Sequence, residues 1–116
     1  MALQFNKLMD IAAVATGASA SVYANPASTK TYVATIVLHN TSGSTKVVTL
    51  NNVPDSSGAL GTPAVGNQNF KISLATLETV ILEPKYPWVL TDTNDAIFGL
   101  ADGSGVTIQL NGTTDV

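Results

Sequence analysis

Residues 32–39 read YVATIVLH, a run of β-branched, aromatic and small side chains. Bounded by turn formers, such a run predicts a strand. Residues 46–53 (KVVTLNNV) repeat the pattern after the turn Asn40-Thr41-Ser42-Gly43-Ser44, and the two runs are expected to pair as a hairpin. Alternation is strictest in two further places. Phe70, Ile72 and Leu74 alternate with Lys71 and Ser73, and Val106, Ile108 and Leu110 alternate with Thr107 and Gln109. Each predicts a strand with one face in a core and one face outside. Residues 79–83 (TVILE), 88–90 and 96–101 (AIFGLA) complete a set of seven or eight strands, the last joined to the final strand through Asp102-Gly103-Ser104-Gly105.

From Ser21 onward no segment shows a helical period, so the crossover helices of a parallel βαβ sheet are missing. The fold expected is all-β: an antiparallel two-sheet β-sandwich, jelly-roll or immunoglobulin-like. Two segments stand outside that pattern. Residues 1–20 are expected to form a short helix through Leu8, Ile11, Ala12 and Ala15, or an extended arm, ahead of a sandwich domain of residues 21–116. Residues 54–69 are a Gly/Pro-rich loop of sixteen residues. Loops that long in a compact domain are commonly functional or ordered by contacts.

Composition changes the picture of the surface. Of 116 residues, 45% are hydrophobic and only 11% charged, against roughly 25% charged in ordinary globular proteins. Thr, Ser, Asn and Gly must cover the outside, which suits surfaces that become buried against other subunits, where a charge is costly to desolvate. Five Lys, no Arg and a net charge of -3 provide no footprint for phosphates, so no nucleic-acid partner is expected. Without Cys there is neither a disulfide framework nor a thiolate metal site. The first twenty residues imitate a secretory signal, ending in Ala18-Ser19-Ala20, but Asp10 leaves an apolar run of only residues 11–15, too short for the central region of such a signal. The segment is therefore expected to be retained. No apolar stretch approaches the roughly 20 residues of a membrane span, and no membrane partner is expected.

Candidate chemistry is sparse. His39 is the only His, sits inside a strand and has no G-x-S-x-G elbow to serve, so it reads as a strand histidine with a satisfied ring. Asp92, Asn94, Asp95 and Asp102 bring oxygen ligands near one end of the sandwich, as calcium requires, yet the EF-hand spacing would put an acid at Gly103. Capping of turns is the simpler role for them. Glu78, Glu83 and the aspartates offer carboxylates for glycoside cleavage without a spacing that selects a pair. Asn40-Thr41-Ser42 and Asn111-Gly112-Thr113 match the glycosylation pattern but fall where turns are expected. Tyr86 and Trp88, bracketed by Pro84 and Pro87, resemble the aromatic platform of a carbohydrate-binding module; the alternative is that Trp88 plugs the core while the prolines guard an edge strand. No catalytic residue, metal ligand or cofactor site is assigned.

Residues 22–42 (VYANPASTKTYVATIVLHNTS), 47–54 (VVTLNNVP), 70–75 (FKISLA) and 77–97 (LETVILEPKYPWVLTDTNDAI) resemble small structural proteins of tailed bacteriophages, although Thr29 stands where those proteins usually carry Gly before the Lys. The resemblance covers residues 21–111. It implies a non-enzymatic virion component: a head decoration or cement protein, or else a tail, vertex or fibre-associated adaptor. The partners implied are the major capsid protein or other virion proteins, with assembly in the host cytoplasm. Copies are expected to form a homo-oligomer, a trimer being favoured because capsid lattices present three-fold sites. Contacts are expected from Leu3, Phe5 and Leu8 on the arm, from Pro54, Leu60, Pro63 and Val65 on the long loop, and from Tyr86 and Trp88.

Overall fold

A computed structural model describes residues 3–116, with side chains from Lys7 onward. The strands are β1 (Leu3–Lys7), β2 (Ala12–Ala13), β3 (Ala20–Ala24), β4 (Lys30–Asn40), β5 (Lys46–Val53), β6 (Gln68–Leu74), β7 (Thr79–Leu82), β8 (Trp88–Leu90), β9 (Ala96–Ala101) and β10 (Val106–Asp115). Among the described residues the helical content is one 3-10 turn, Val65–Asn67. The strands make two antiparallel sheets. The first runs β1-β10-β4-β7, with β2 also on β10 and β8 also on β4; the second runs β3-β9-β5-β6.

β1 and β2 lie along successive stretches of one side of β10, and β7 and β8 do the same along β4. Taken as single interrupted strands, they reduce the fold to eight strand positions. The first pairs with the eighth, the second with the seventh, the third with the sixth and the fourth with the fifth, alternately in the two sheets. This is a jelly roll, a long hairpin folded over on itself. The alternating positions of β5 and β10 face inward as their pattern predicts, Val48 and Leu50 with Val106, Ile108 and Leu110. On β4 Ile36 and Leu38 do so, while a register shift of one residue against Asn111 and Gly112 brings Val33 inward as well; Leu74, Leu90 and Ile97 complete the core.

Residues 32–39 and 46–53 do not pair as a hairpin. β4 lies in the first sheet and β5 in the second, so the turn between them is a crossing from sheet to sheet. Asn40, fully buried, makes the crossing possible. Its amide nitrogen donates to the carbonyl oxygens of Ser44 at 2.8 Å, Leu74 at 3.0 Å and Ala75 at 3.2 Å. Its amide oxygen accepts from the Ser42 backbone N–H and hydroxyl. The backbone of Asn40 exchanges hydrogen bonds with Leu77 and Glu78 on the connection into β7. One side chain therefore replaces the ladder partners that both turning segments lose.

Of the two forms expected for residues 1–20, the helix is absent among the described residues 3–20, which run largely extended and are tied to β10 instead of standing apart as an arm. β1 and β2 pair with β10, Val14 is buried in the main core at 5% exposure, and Ile11 instead points outward. Val14 and Leu8 donate to the carbonyls of Val106 and Leu110, and Ala101 donates to Ala15. An isolated helix of under three turns is marginal in water. The long side of β10 offers ladder bonds that the same residues can satisfy, and that wins. Gly17, at φ 82, turns the chain into β3.

The loop expected over residues 54–69 ends earlier, because residues 65–67 form the 3-10 turn and Gln68 and Asn69 already belong to β6; the remainder is held by contacts. The buried Asn51 of β5 donates to Ala64 O and Asn67 Oδ1, both at 2.9 Å, and the loop lies over the outer face of the second sheet. Beneath it Val53, Ala96 and Phe98 form a second small core with Ala24. At residues 28–29 the left-handed residue is Ser28, at φ 56, so the turn does not need Gly at Thr29.

Asn40→Asp places a carboxylate against three carbonyl oxygens and is expected to destabilise the fold by roughly 3 kcal/mol, lowering Tm on the order of 10 °C. Urea unfolding checks it. A loss under about 1 kcal/mol would mean that Asn40 does not hold the corner.

Candidate functional site

Three places bring polar or aromatic side chains together. The acidic cluster is the first. Asp92 and Asp95, on the turn before β9, are joined by Asp55 from the long loop, and one carboxylate oxygen from each lies within 4.8 Å of the others. Asp102 is not part of it. It follows the other end of β9, six residues or roughly 20 Å away at about 3.3 Å per residue, where its Oδ1 accepts from Val47 N at 2.9 Å. Asn94 is held elsewhere too, donating to Gly58 O at 2.8 Å.

Asp95 organises this end of the molecule. Its Oδ2 accepts from Thr91 N and Asp92 N at 3.1 and 3.0 Å, and its Oδ1 accepts from Asp55 N at 3.0 Å. Burial on its own would raise the Asp95 carboxyl, but the backbone N–H groups of Asp92, Asp55 and Thr91 outweigh it and hold the carboxyl below its ordinary value. Asp55 Oδ2 accepts from Gly58 N. Calcium takes six to eight oxygens, and the carboxylates here are largely committed to backbone donors. The cluster is a turn cap that ties the long loop to the end of β8.

His39 lies on the outer face of the first sheet, with Thr79 on one side in register and Thr107 on the other. Its Nδ1 sits 2.7 Å from Thr79 Oγ1, a satisfied ring on a strand. Together with Ile11, Val37 and Gln109, these residues line a depression of about 190 Å³. Glu78 and Glu83 flank β7, five residues and therefore about 16 Å apart along an extended strand, beyond the 6.5–9.5 Å of an inverting glycosidase pair. Glu78 Oε1 accepts from Ala75 N, a turn-capping role.

The aromatic pair separates. Trp88 is half-buried and packs on the main core beside Phe70 and Leu82, while Tyr86 is 74% exposed with Lys85 Nζ at 5.6 Å from its ring centroid. Trp88 thus does what a plug does, at a groove of about 270 Å³ where the β6 and β7 edges meet. Leu8 also packs against the core. The long loop divides differently: Val65, at the start of the 3-10 turn before β6, is 89% exposed and Leu60 and Pro54 are exposed, with Pro63 half-buried. The side chains of Leu3 and Phe5 lie outside the described residues. No helix of the described residues is long and apolar enough to cross a membrane.

No protein-family model and no curated protein matches the chain. Sequence reasoning missed Asp55 and the burial of Asn25, Asn40 and Asn51. Asp55 is forty residues from Asp95, so no local spacing signals it.

A carboxyl with a lowered folded-state value stabilises the fold above its unfolded value, about 3.9, and that contribution is lost as pH falls through the lowered value. Asp95→Asn turns an NH₂ toward backbone N–H groups. It is expected to lower stability by about 1–2 kcal/mol at pH 7 and to flatten the loss of stability below about pH 4. Urea unfolding at pH 7 and pH 3 measures both. Parallel acid limbs in the two proteins would remove Asp95 from the cause.

Proposed function

We propose that this chain is a non-enzymatic structural protein of a virion, a decoration or cement protein that binds the lattice of a capsid and stabilises it by mass action. The observation that carries this reading is the long loop. Asn51 and Asp95 fix it from beneath, and it still holds Val65 and Leu60 out in water. A rigid segment presenting apolar side chains has little conformational entropy left to lose on docking. The shortage of surface charge supports the same reading, since a surface that becomes covered avoids desolvating charges. Jelly rolls recur in viral shells and in lectins, and the resemblance of residues 21–111 to phage structural proteins favours the shell. The partner is then the major capsid protein, and the working location the capsid surface.

A tail, vertex or fibre-associated adaptor is the second reading, favoured by the same resemblance and the same loop. The sugar-binding reading retains Tyr86 as an exposed ring, but Trp88 serves the core.

Quantitative mass spectrometry of purified particles separates these readings. Hundreds of copies per particle are expected for decoration; a dozen or fewer indicate the tail or vertex, and absence from particles overturns both. Val65→Asp is expected to reduce occupancy at least tenfold while leaving the thermal unfolding of the free protein unchanged. Full occupancy by that variant would remove the loop as the contact.

A further inference from the structure

Among the described residues the outer face of the first sheet has no covering segment. The second sheet's outer face is partly roofed by the long loop, but over β4, β7 and β10 no described residue plays that part. In register across these strands lie Ile81, Val37 and Gln109 in one row, and Thr79, His39 and Thr107 in the next. Tyr32 pairs with Val89 farther along. Ile81 is 56% exposed on the β7 side; Val89, farther along that side, and Ile11, on the β2 side, are exposed as well.

Charge is distributed over this face in a particular way. No charged residue stands in those rows, although the chain carries thirteen, eight acidic and five basic. Charges appear only at the margin: Lys7 paired with Asp10 on the β1 side, Lys30 opposite Asp115 at one end, and Glu83 just past β7. An uncharged centre with a mixed polar rim is the anatomy of a protein interface.

We infer that this face packs against the same face of a second copy of the chain, about a two-fold axis running along β4. Across an isologous contact about this axis the β4 residues Val37 and His39 meet their own copies, so a fixed charge there would face its own kind, while residues to either side meet different ones. The absence of Lys, Asp and Glu from these β4 positions fits self-pairing. Four strand positions at about 4.8 Å spacing and eight residues at about 3.3 Å make a plane of roughly 25 by 19 Å, about 480 Å² before the relief of the side chains is added, the size of a small interface.

The axis has a geometric consequence. Ile81 and Gln109 flank Val37 on opposite sides, so rotation about β4 sets Ile81 of one copy over Gln109 of the other. There it meets the depression lined by Gln109, Val37, His39 and Ile11. The exposed isoleucine is the knob and the depression is its hole.

This pairing is independent of the virion reading, and the free protein tests it. Analytical ultracentrifugation of the full chain at up to about 200 µM is expected to give a two-chain mass. Ile81→Asp is expected to give a one-chain mass with an unchanged circular dichroism spectrum and a Tm equal to that of the unaltered protein diluted until it is monomeric, since loss of the partner removes its mass-action stabilisation, and Val65→Asp to leave the two-chain mass intact. The chain has no Cys, so Ile81→Cys with Gln109→Cys adds the only two thiols. Within one copy these positions are two strand spacings apart, about 9.6 Å, too far for a disulfide. Mild oxidation is therefore expected to link copies into covalent dimers, and each single-cysteine variant to link at least tenfold less. A one-chain or three-chain mass for the unaltered protein, an unchanged mass for Ile81→Asp, or no selective crosslink each overturns the proposal. Copy number in particles can fail while this succeeds, and the reverse.

Discussion

A sandwich built by folding one hairpin over itself has to carry the chain from sheet to sheet at both ends, and each crossing strips the ladder from backbone groups that water cannot reach. Buried asparagine amides answer that constraint here. Asn40 closes one end by bonding Ser44, Leu74 and Ala75. Asn25 closes the other, donating to Thr29 O and Asp92 O while accepting from Thr31 Oγ1 at 2.7 Å. Asn51 pins the long loop. With Thr31, these are all the buried polar residues among the described ones. A carboxamide carries donors and acceptor without charge, so it can stand in for backbone in a dry site without the penalty of burying an ion.

The same economy in charge shapes the exterior. Where a loop must be held, the holding group is a backbone N–H on a carboxylate, as with Asp95 and Asp102, or an amide on a carbonyl. Ion pairs contribute little; among the described residues the one salt bridge joins exposed Lys7 and Asp10. Stability therefore rests on apolar burial and hydrogen bonding, and little of it is lost to screening in salt. The surface is left free of the charges that would resist being covered.

Much of the fold was legible in the sequence. Period-two runs at residues 70–74 and 106–110 face as they read, and the unbroken apolar run 96–101 signals a strand buried on both sides. Partnership was less legible. The turn at residues 40–44 has hairpin chemistry, but whether its strands pair or part depends on Leu74 and Ala75, more than thirty residues later. The alanines of residues 12–15 favour a helix locally, and only the vacant side of β10 makes them extended. Of the candidate site, Trp88 as a plug and His39 as a satisfied ring could be read from their surroundings in the sequence. The covering of Phe98 could not, because the loop that covers it is fixed through Asn51, a residue that looks like any turn former.

Four sheet edges remain, and how each is guarded bears on assembly. β6 carries Lys71 at its middle, and a charge there opposes pairing with another strand. β7 is bracketed by Glu78 and Glu83 and followed by Pro84, which cannot donate to a ladder. β3 is irregular in register between Ser21 and Tyr23, and such bulges turn an edge away from continuation. β1 ends at the Lys7–Asp10 pair. Strand addition, the easiest way for a β protein to associate, is thus opposed at every edge. The outer face of the first sheet and the exposed Leu60 and Val65 of the long loop carry no such defence. Association in this molecule is directed away from its edges and toward its faces, where side-chain shape rather than backbone ladder decides which partner fits.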